Sequence, residues 1–291
     1  MSLLLQALIN GLLLGGIYVL VSVGLSLAFG VMHLINVAQG DCVMMGAFIA
    51  YWIYVFYGIE PILVSPLAFC LFFVVGYFVQ KYLVASVMES PALMNLVLFF
   101  GLSIFMANIA LLAWTPYSRI VTTGLSGVHF TVGDLKIPVV RLLTFIISVG
   151  CTVGLFLFLQ KTRLGLAIMA SSEMIGDREA ARLMGINLEQ IHQITLGLGF
   201  GTAAMAGALI SAIAAINPMI GLIYTLFAFF ITVLGGMGYL PGALVGGIVL
   251  GVAQSLIITY YRTDAVFFIL FFLLYVILLI RPKGIFGRGV I

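Results

Sequence analysis

Apolar runs separated by short polar breaks make up almost the whole chain. They occupy residues 3–31, 42–57, 62–79, 92–114, 139–159, 191–216, 219–234, 242–260 and 265–280. Hydrophobicity within them is continuous, without a period of two, so they read as membrane helices and not as strands of a barrel. A helix crossing a hydrocarbon core of roughly 30 Å needs about 20 residues. The expected fold is therefore all-α: a polytopic bundle of about eight or nine membrane segments, some of them broken or re-entrant, forming one domain over residues 1–291.

The breaks differ in kind. Asn10 interrupts the first run, and Glu60-Pro61 ends the second. Residues 33–41 (HLINVAQGD) lower the hydrophobicity without forming a proper loop. Residues 81–91 read as a turn. The connection at 115–138 is longer, and residues 128–132 and 135–137 alternate around Gly133-Asp134, which predicts a small β-hairpin. Asn217-Pro218 and then Gly235-Gly236-Met237-Gly238 bracket a shorter apolar run. Each half thus holds a glycine-rich span, a break containing an asparagine and a shorter run, which suggests a loose internal repeat.

Composition sharpens the class. Of 291 residues 64% are hydrophobic and only 7% charged, and the mean hydropathy is +1.31. Such a chain has no polar face for water. No basic cluster interleaves with exposed aromatics, so nucleic acid is not an expected partner. Cys42, Cys70 and Cys151 lie far apart in apolar runs and read as small core residues. His33, His129 and His192 are scattered, and neither HExxH nor GxxxxGK[ST] occurs. No catalytic residue, metal site or cofactor is expected in this chain. The first run is too long and glycine-rich for a cleaved signal and reads as a retained helix.

Charge gathers in the loop at 161–192. It carries Lys161, Arg163, Arg178 and Arg182, four of the chain's 12 lysines and arginines. This content places it on the cytoplasmic side. Counting crossings from there puts Lys81, Arg281, Lys283 and Arg288 inside. Arg119, Lys136, Arg141, Arg262, the hairpin loop and the N-terminus fall outside. Within the loop a short helix is predicted over 178–184, with Asp177 as cap and Gly185 as left-handed terminator. Ala180, Leu183 and Met184 give it an apolar face, and Asn187 with Gln190 begins the next helix. Such a helix is too short to stand alone in water. It either packs on its own protein or docks a soluble partner.

The breaks allow two readings as well. Asn36, Gln39, Gly40, Asp41, Asn217, Pro218, Gly235 and Gly236 either cap helix ends or line a route for a polar solute. The glycine pairs Gly11/Gly15, Gly197/Gly201, Gly242/Gly246 and Gly247/Gly251 predict close helix contacts.

Four stretches, in order and nearly end to end, carry a family likeness. Residues 29–41 (FGVMHLINVAQGD) resemble a GV-M-LIN-FAHG(E/D) segment. Thr162-Arg163-Leu164-Gly165 and residues 178–186 (REAARLMGI) resemble T-R-x-G and E-A-A-x-L-M-G-I. Residues 217–221 and 234–247 resemble a second-half signature, and residues 279–287 (LIRPKGIFG) an RP-GLFG ending. Together they resemble the LivH-type permeases of branched-chain amino acid ABC importers.

That resemblance implies a multi-pass protein of the cell inner membrane, surrounded by lipid. It implies a coupling helix at Arg178, Glu179, Ala180, Ala181, Leu183 and Gly185 that docks on an ATPase. The partners implied are a LivM-like second permease, two ATP-binding subunits that hold ATP and magnesium, and a periplasmic binding protein that delivers substrate. Gln39 stands where the family has His, and Val37 where it has an aromatic residue. These departures leave the substrate open among branched-chain, other hydrophobic or aromatic amino acids and small amides. A passive channel for a small solute such as urea is the alternative that the two Asn-containing breaks suggest. An ion-coupled transporter would want more buried acids than Asp41.

Overall fold

A 31-residue helix, α1 (Ser2–Met32), runs through the middle of the molecule. It is 83% buried over its most apolar window, and α8 (Leu188–Ser211) beside it is 94% buried. These two are the shielded centre, and the other long helices surround them. In chain order these are α2 (Gln39–Tyr57), α3 (Pro61–Val79), α4 (Ala92–Trp114) and α5 (Val139–Lys161), then α10 (Leu240–Tyr260) after α8. Two apolar helices are shorter, α9 (Ile220–Gly235) and α11 (Ala265–Ile280). The computed structural model describes residues 2–88, 90–125, 127–132, 135–172, 178–261, 263–281 and 284–285. Among these, seven helices are long and apolar enough to cross a bilayer. With the two shorter ones they form an all-α polytopic bundle, as the apolar runs predict.

The only strands among the described residues are β1 (His129–Val132) and β2 (Leu135–Pro138), paired antiparallel with Phe130 opposite Ile137. The hairpin therefore forms where the alternation places it; its Gly133-Asp134 turn lies outside the described residues. Gln6 fixes it to the start of α1, accepting from the Lys136 N–H at 3.0 Å and donating to the Lys136 carbonyl at 2.8 Å. The N-terminal end of α1 and the hairpin thus share one end of the bundle. The charged loop, with α6 (Arg163–Ala170) and α7 (Arg178–Leu183), lies at the other.

Three expectations change. Asn10 does not interrupt α1, because its side chain turns out to Arg141 and leaves the helix intact. Residues 81–91 are not a simple turn. Helical structure continues through a π turn (Gln80–Val84) and a 3-10 turn (Ala85–Val87), and the chain's next proline is Pro91. The span at 191–216 stops being helical at Ser211. Ile216 instead exchanges two backbone hydrogen bonds, each 2.8 Å, with Arg119. Tertiary pairing overrides the helix propensity of the alanines there.

The glycine pairs find partners. Gly11 and Gly15 of α1 lie against Gly247 and Gly251 of α10, backbone on backbone, and Gly197 and Gly201 of α8 receive Phe73 and Phe69 of α3. The two most extensive helix pairings are accordingly α1 with α10 and α3 with α8. Under a correspondence of α1, α2, α3, α4 with α8, α9, α10, α11 these are the same pairing. The direction of travel is opposite in the two halves, since α1 runs away from the hairpin end and α8 towards it. The echo in the sequence is thus an inverted repeat, whose outer helices pack across the halves.

Candidate functional site

The two broken helices meet at their starts. After Met32 the chain leaves helical geometry. His33 takes a left-handed conformation (φ 54°), and residues 33–38 fold back along α1. The side chain of Gln39, the first residue of α2, then reaches the carbonyl of Val21 at 3.0 Å. At 1.5 Å per residue that carbonyl lies about 16 Å back from the end of α1. α2 therefore begins deep within the bundle.

Gln39 is fully buried and bonded on all sides. Its amide also donates to the Gly199 carbonyl in the middle of α8 (3.3 Å) and accepts from Asn36 Nδ2 (2.9 Å). One side chain thereby ties α1, α2 and α8 together. Gly40 follows, and its N–H donates to Thr225 Oγ1 of α9 at 3.0 Å; the Thr225 hydroxyl donates to the Val37 carbonyl at 3.0 Å. A Cβ on Gly40 would strike the Gly221 carbonyl, and one on Gly221 would strike Asp41 Oδ1. Gly40 and Gly221 are each the second residue of their helix, so the repeat brings equivalent positions into contact.

Asp41 sits in the first turn of α2 and is 3% exposed. Its carboxylate lies beside two helix starts, whose free N–H groups favour negative charge. Asp41 Oδ2 and Asn36 Oδ1 have no hydrogen-bond partner among the described residues. Asn217 and Pro218 stand at the entry to α9. Asn217 Oδ1 accepts from the Met219 N–H at 2.9 Å, and Pro218 is buried. The same linker is held by Arg119. Its guanidinium covers Tyr51 and Trp52 at 5.3 and 4.9 Å and donates to the Trp114 carbonyl at 2.7 Å.

Gly235 and Gly236 lie at the far end of α9, about 24 Å from its start for 16 residues. There Gly235 packs on Gly242, and Gly236 turns the chain with φ 94°. The eight break residues thus divide between the meeting point of α2 and α9, the entry to α9, and its opposite end. Thr225 has little to mark it in the sequence. Its only signal is a hydroxyl one turn after Gly221, in a mostly apolar helix that also carries Tyr224 and Thr232. Arg119 and Arg141 were legible as charges but not as contacts.

The charged loop is built in short steps. Thr162 Oγ1 caps α6 by accepting from the Gly165 N–H (3.0 Å). α7 spans six residues and closes with two bonds, Ile186 N–H to the Ala181 carbonyl (3.1 Å) and Gly185 N–H to the Arg182 carbonyl (3.0 Å). With Gly185 at φ 82° this is a Schellman ending. Ala181 turns inward and is buried. Ala180 is exposed, and Leu183 and Met184 are 90% and 83% exposed. The Asp177 cap lies outside the described residues, as do the side chains of Arg178 and Glu179 and the tail residues Lys283 and Arg288. Asn187 accepts from the Gln190 N–H (3.3 Å) and starts α8.

Replacing Gln39 by leucine removes three bonds and leaves the Asn36 amide buried without its acceptor. We expect a loss of about 2–4 kcal/mol. It is to be read as a lower unfolding midpoint in detergent; an unchanged midpoint would show that Gln39 does not hold the three helices together.

Known proteins resemble this chain over nearly its whole length. Residues 7–279 match the family described as branched-chain amino acid transport system / permease component. The chain is 33% identical over 298 residues to the high-affinity branched-chain amino acid transport system permease protein BraD of Pseudomonas aeruginosa, covering 98% of this chain and 96% of that one. It is 30% identical over 305 residues to the permease protein LivH of Escherichia coli, with the same coverage. A probable LivH of Methanocaldococcus jannaschii is 28% identical over 296 residues, 96% of this chain and 91% of that one. No solved structure matches the chain.

Proposed function

The chain belongs to the family of branched-chain amino acid transport permeases, and from that premise we propose that it is one transmembrane subunit of an ATP-driven importer. It stands in the cell inner membrane with its hairpin end towards the periplasm and its charged loop in the cytoplasm. A periplasmic binding protein delivers the solute, and a LivM-like permease completes the route. Two ATP-binding subunits, which carry the ATP and magnesium, drive the cycle. The substrates are branched-chain or related hydrophobic amino acids, or small amides.

The tip of the charged loop carries this reading. Leu183, the last residue of the six-residue α7, and Met184 just after it stand almost wholly exposed. Burying each against a partner is worth about 1.5–3 kcal/mol. The inward Ala181 and the Schellman bonds hold that apolar pair out from the protein. Arg178, Glu179, Ala180, Ala181, Leu183 and Gly185 form the coupling element. A shift delivered there moves the start of α8, joined to α7 by a short link, and α8 meets α2 through the Gln39–Gly199 bond. The meeting point of α2 and α9, with Asn36, Gln39, Gly40, Asp41, Asn217 and Pro218, is the gate. Gly235 and Gly236 serve α9 as a pivot. A passive channel fits poorly, because the α2 and α9 backbones touch at Gly40 and Gly221 and leave no room between them.

The test is co-purification in mild detergent followed by reconstitution. ATP-binding subunits and a second permease should come down with the chain, and leucine uptake into liposomes should require both ATP and binding protein. A chain that purified alone and made liposomes permeable to urea would establish the channel instead.

A further inference from the structure

A cavity of about 310 Å³ opens at the hairpin end, between the starts of α1 and α5, the hairpin loop and the end of α8. It is separate from the meeting point of α2 and α9. Its volume falls at the lower end of small-ligand pockets, ~300–1,000 Å³. Its polar lining is Gln6, Asn10, Lys136 and Arg141. The two charges are both positive, and no carboxylate lines the cavity among the described residues.

Arg141 sits half-buried at the start of α5. Of its five N–H donors, the one hydrogen bond formed among the described residues is a long one, 3.4 Å, to Asn10 Oδ1. A guanidinium taken partly out of water, with no anion beside it among the described residues, carries a desolvation cost that a planar carboxylate would relieve with two parallel bonds. Gln6 spends both ends of its amide on the Lys136 backbone. It therefore fixes the strand that carries the Lys136 ammonium at the rim instead of competing for a ligand. Apolar side chains complete the lining, among them Leu125, Val140 and Ile213.

We propose that this cavity binds a small amphipathic carboxylate, its anionic end on Arg141 and its aliphatic body on Leu125, Val140 and Ile213. A hydrophobic amino acid belongs to this chemical class. The purpose of the site, a first station for solute on the outer face, rests on the importer reading; its existence does not.

The experiment uses the full chain in nanodiscs of phosphatidylcholine, without ATPase partners, and reads ligand binding by saturation-transfer NMR. The probes are isovalerate, leucine and isoamylamine, the last having the same aliphatic body without the carboxylate. Isovalerate and leucine should bind, and isoamylamine at least tenfold more weakly. Arg141→Gln should lower isovalerate affinity at least tenfold. Asn10→Asp keeps the arginine but gives it an internal carboxylate, and should do the same in a chain that still folds. Isoamylamine binding as well as isovalerate, wild-type affinity in both variants, or no carboxylate binding would each overturn the proposal. So would displacement of isovalerate by phosphatidylglycerol, which would mark a lipid-headgroup site. Failure of ATP-driven uptake leaves this result untouched, and failure here leaves the importer reading untouched.

Discussion

Gly40→Val should unfold the protein or leave it with an unfolding midpoint far below that of the wild type. The Cβ alone would meet the Gly221 carbonyl and the Thr225 nitrogen and hydroxyl. Two of these three atoms are backbone, so no rotamer change makes room, and the starts of α2 and α9 must separate. Overpacking in a core costs about 1–3 kcal/mol, and separation also loses the hydrogen bonds joining Gly40, Thr225 and Val37 at about 1 kcal/mol each. The expected total is roughly 3–5 kcal/mol. Gly101→Ala supplies the opposite sign. Gly101 lies inside α4 with nothing within 4 Å of its would-be Cβ. Alanine there should stabilise the helix by up to about 1 kcal/mol. Denaturation in detergent of the two variants side by side reads the contrast; equal midpoints would mean that α2 and α9 do not touch as described.

Leu183→Glu should reduce ATP-driven uptake at least tenfold while leaving the amount of inserted protein unchanged. The side chain is 90% exposed, so little folding energy is at stake, within about 0.5 kcal/mol. An interface that buries Leu183 would instead have to desolvate a carboxylate, at a cost of several kcal/mol. Each 1.4 kcal/mol is about a factor of ten in affinity. Gly185→Pro attacks the same tip through the backbone. Proline fixes φ near −65° and lacks an N–H, whereas Gly185 has φ 82° and donates to Arg182. It should abolish the Schellman ending and uptake together. Normal uptake in both variants would refute the coupling assignment.

Local signals in the sequence carried far, and their limits are instructive. The helices at 92–114 and 265–280 and the Gly185 terminator depend on nearby residues, and they stand where the pattern puts them. The end of α8 at Ser211 depends on Arg119, almost a hundred residues away, and no local pattern reports it. The glycine pairs announce that something approaches closely but do not name the neighbour; Gly11 could not reveal Gly251. The break residues were visible as polar groups in apolar surroundings. Their division among three places, and the part of Thr225, follow only from how α9 lies across α2.

The crossed pairing of the two halves also governs how the protein is made. The glycine face of α1 enters the membrane early, but α10, the helix that fills it, is synthesised more than 200 residues later. At ~5–20 residues per second, α1 waits roughly 10–50 s without its chief neighbour. α3 waits in the same way for α8. Neither half can close on its own, so assembly in the bilayer is a late event of synthesis. Until then the glycine groove of α1 and the Phe69 and Phe73 face of α3 are open to any passing helix, and the insertion machinery must keep them shielded.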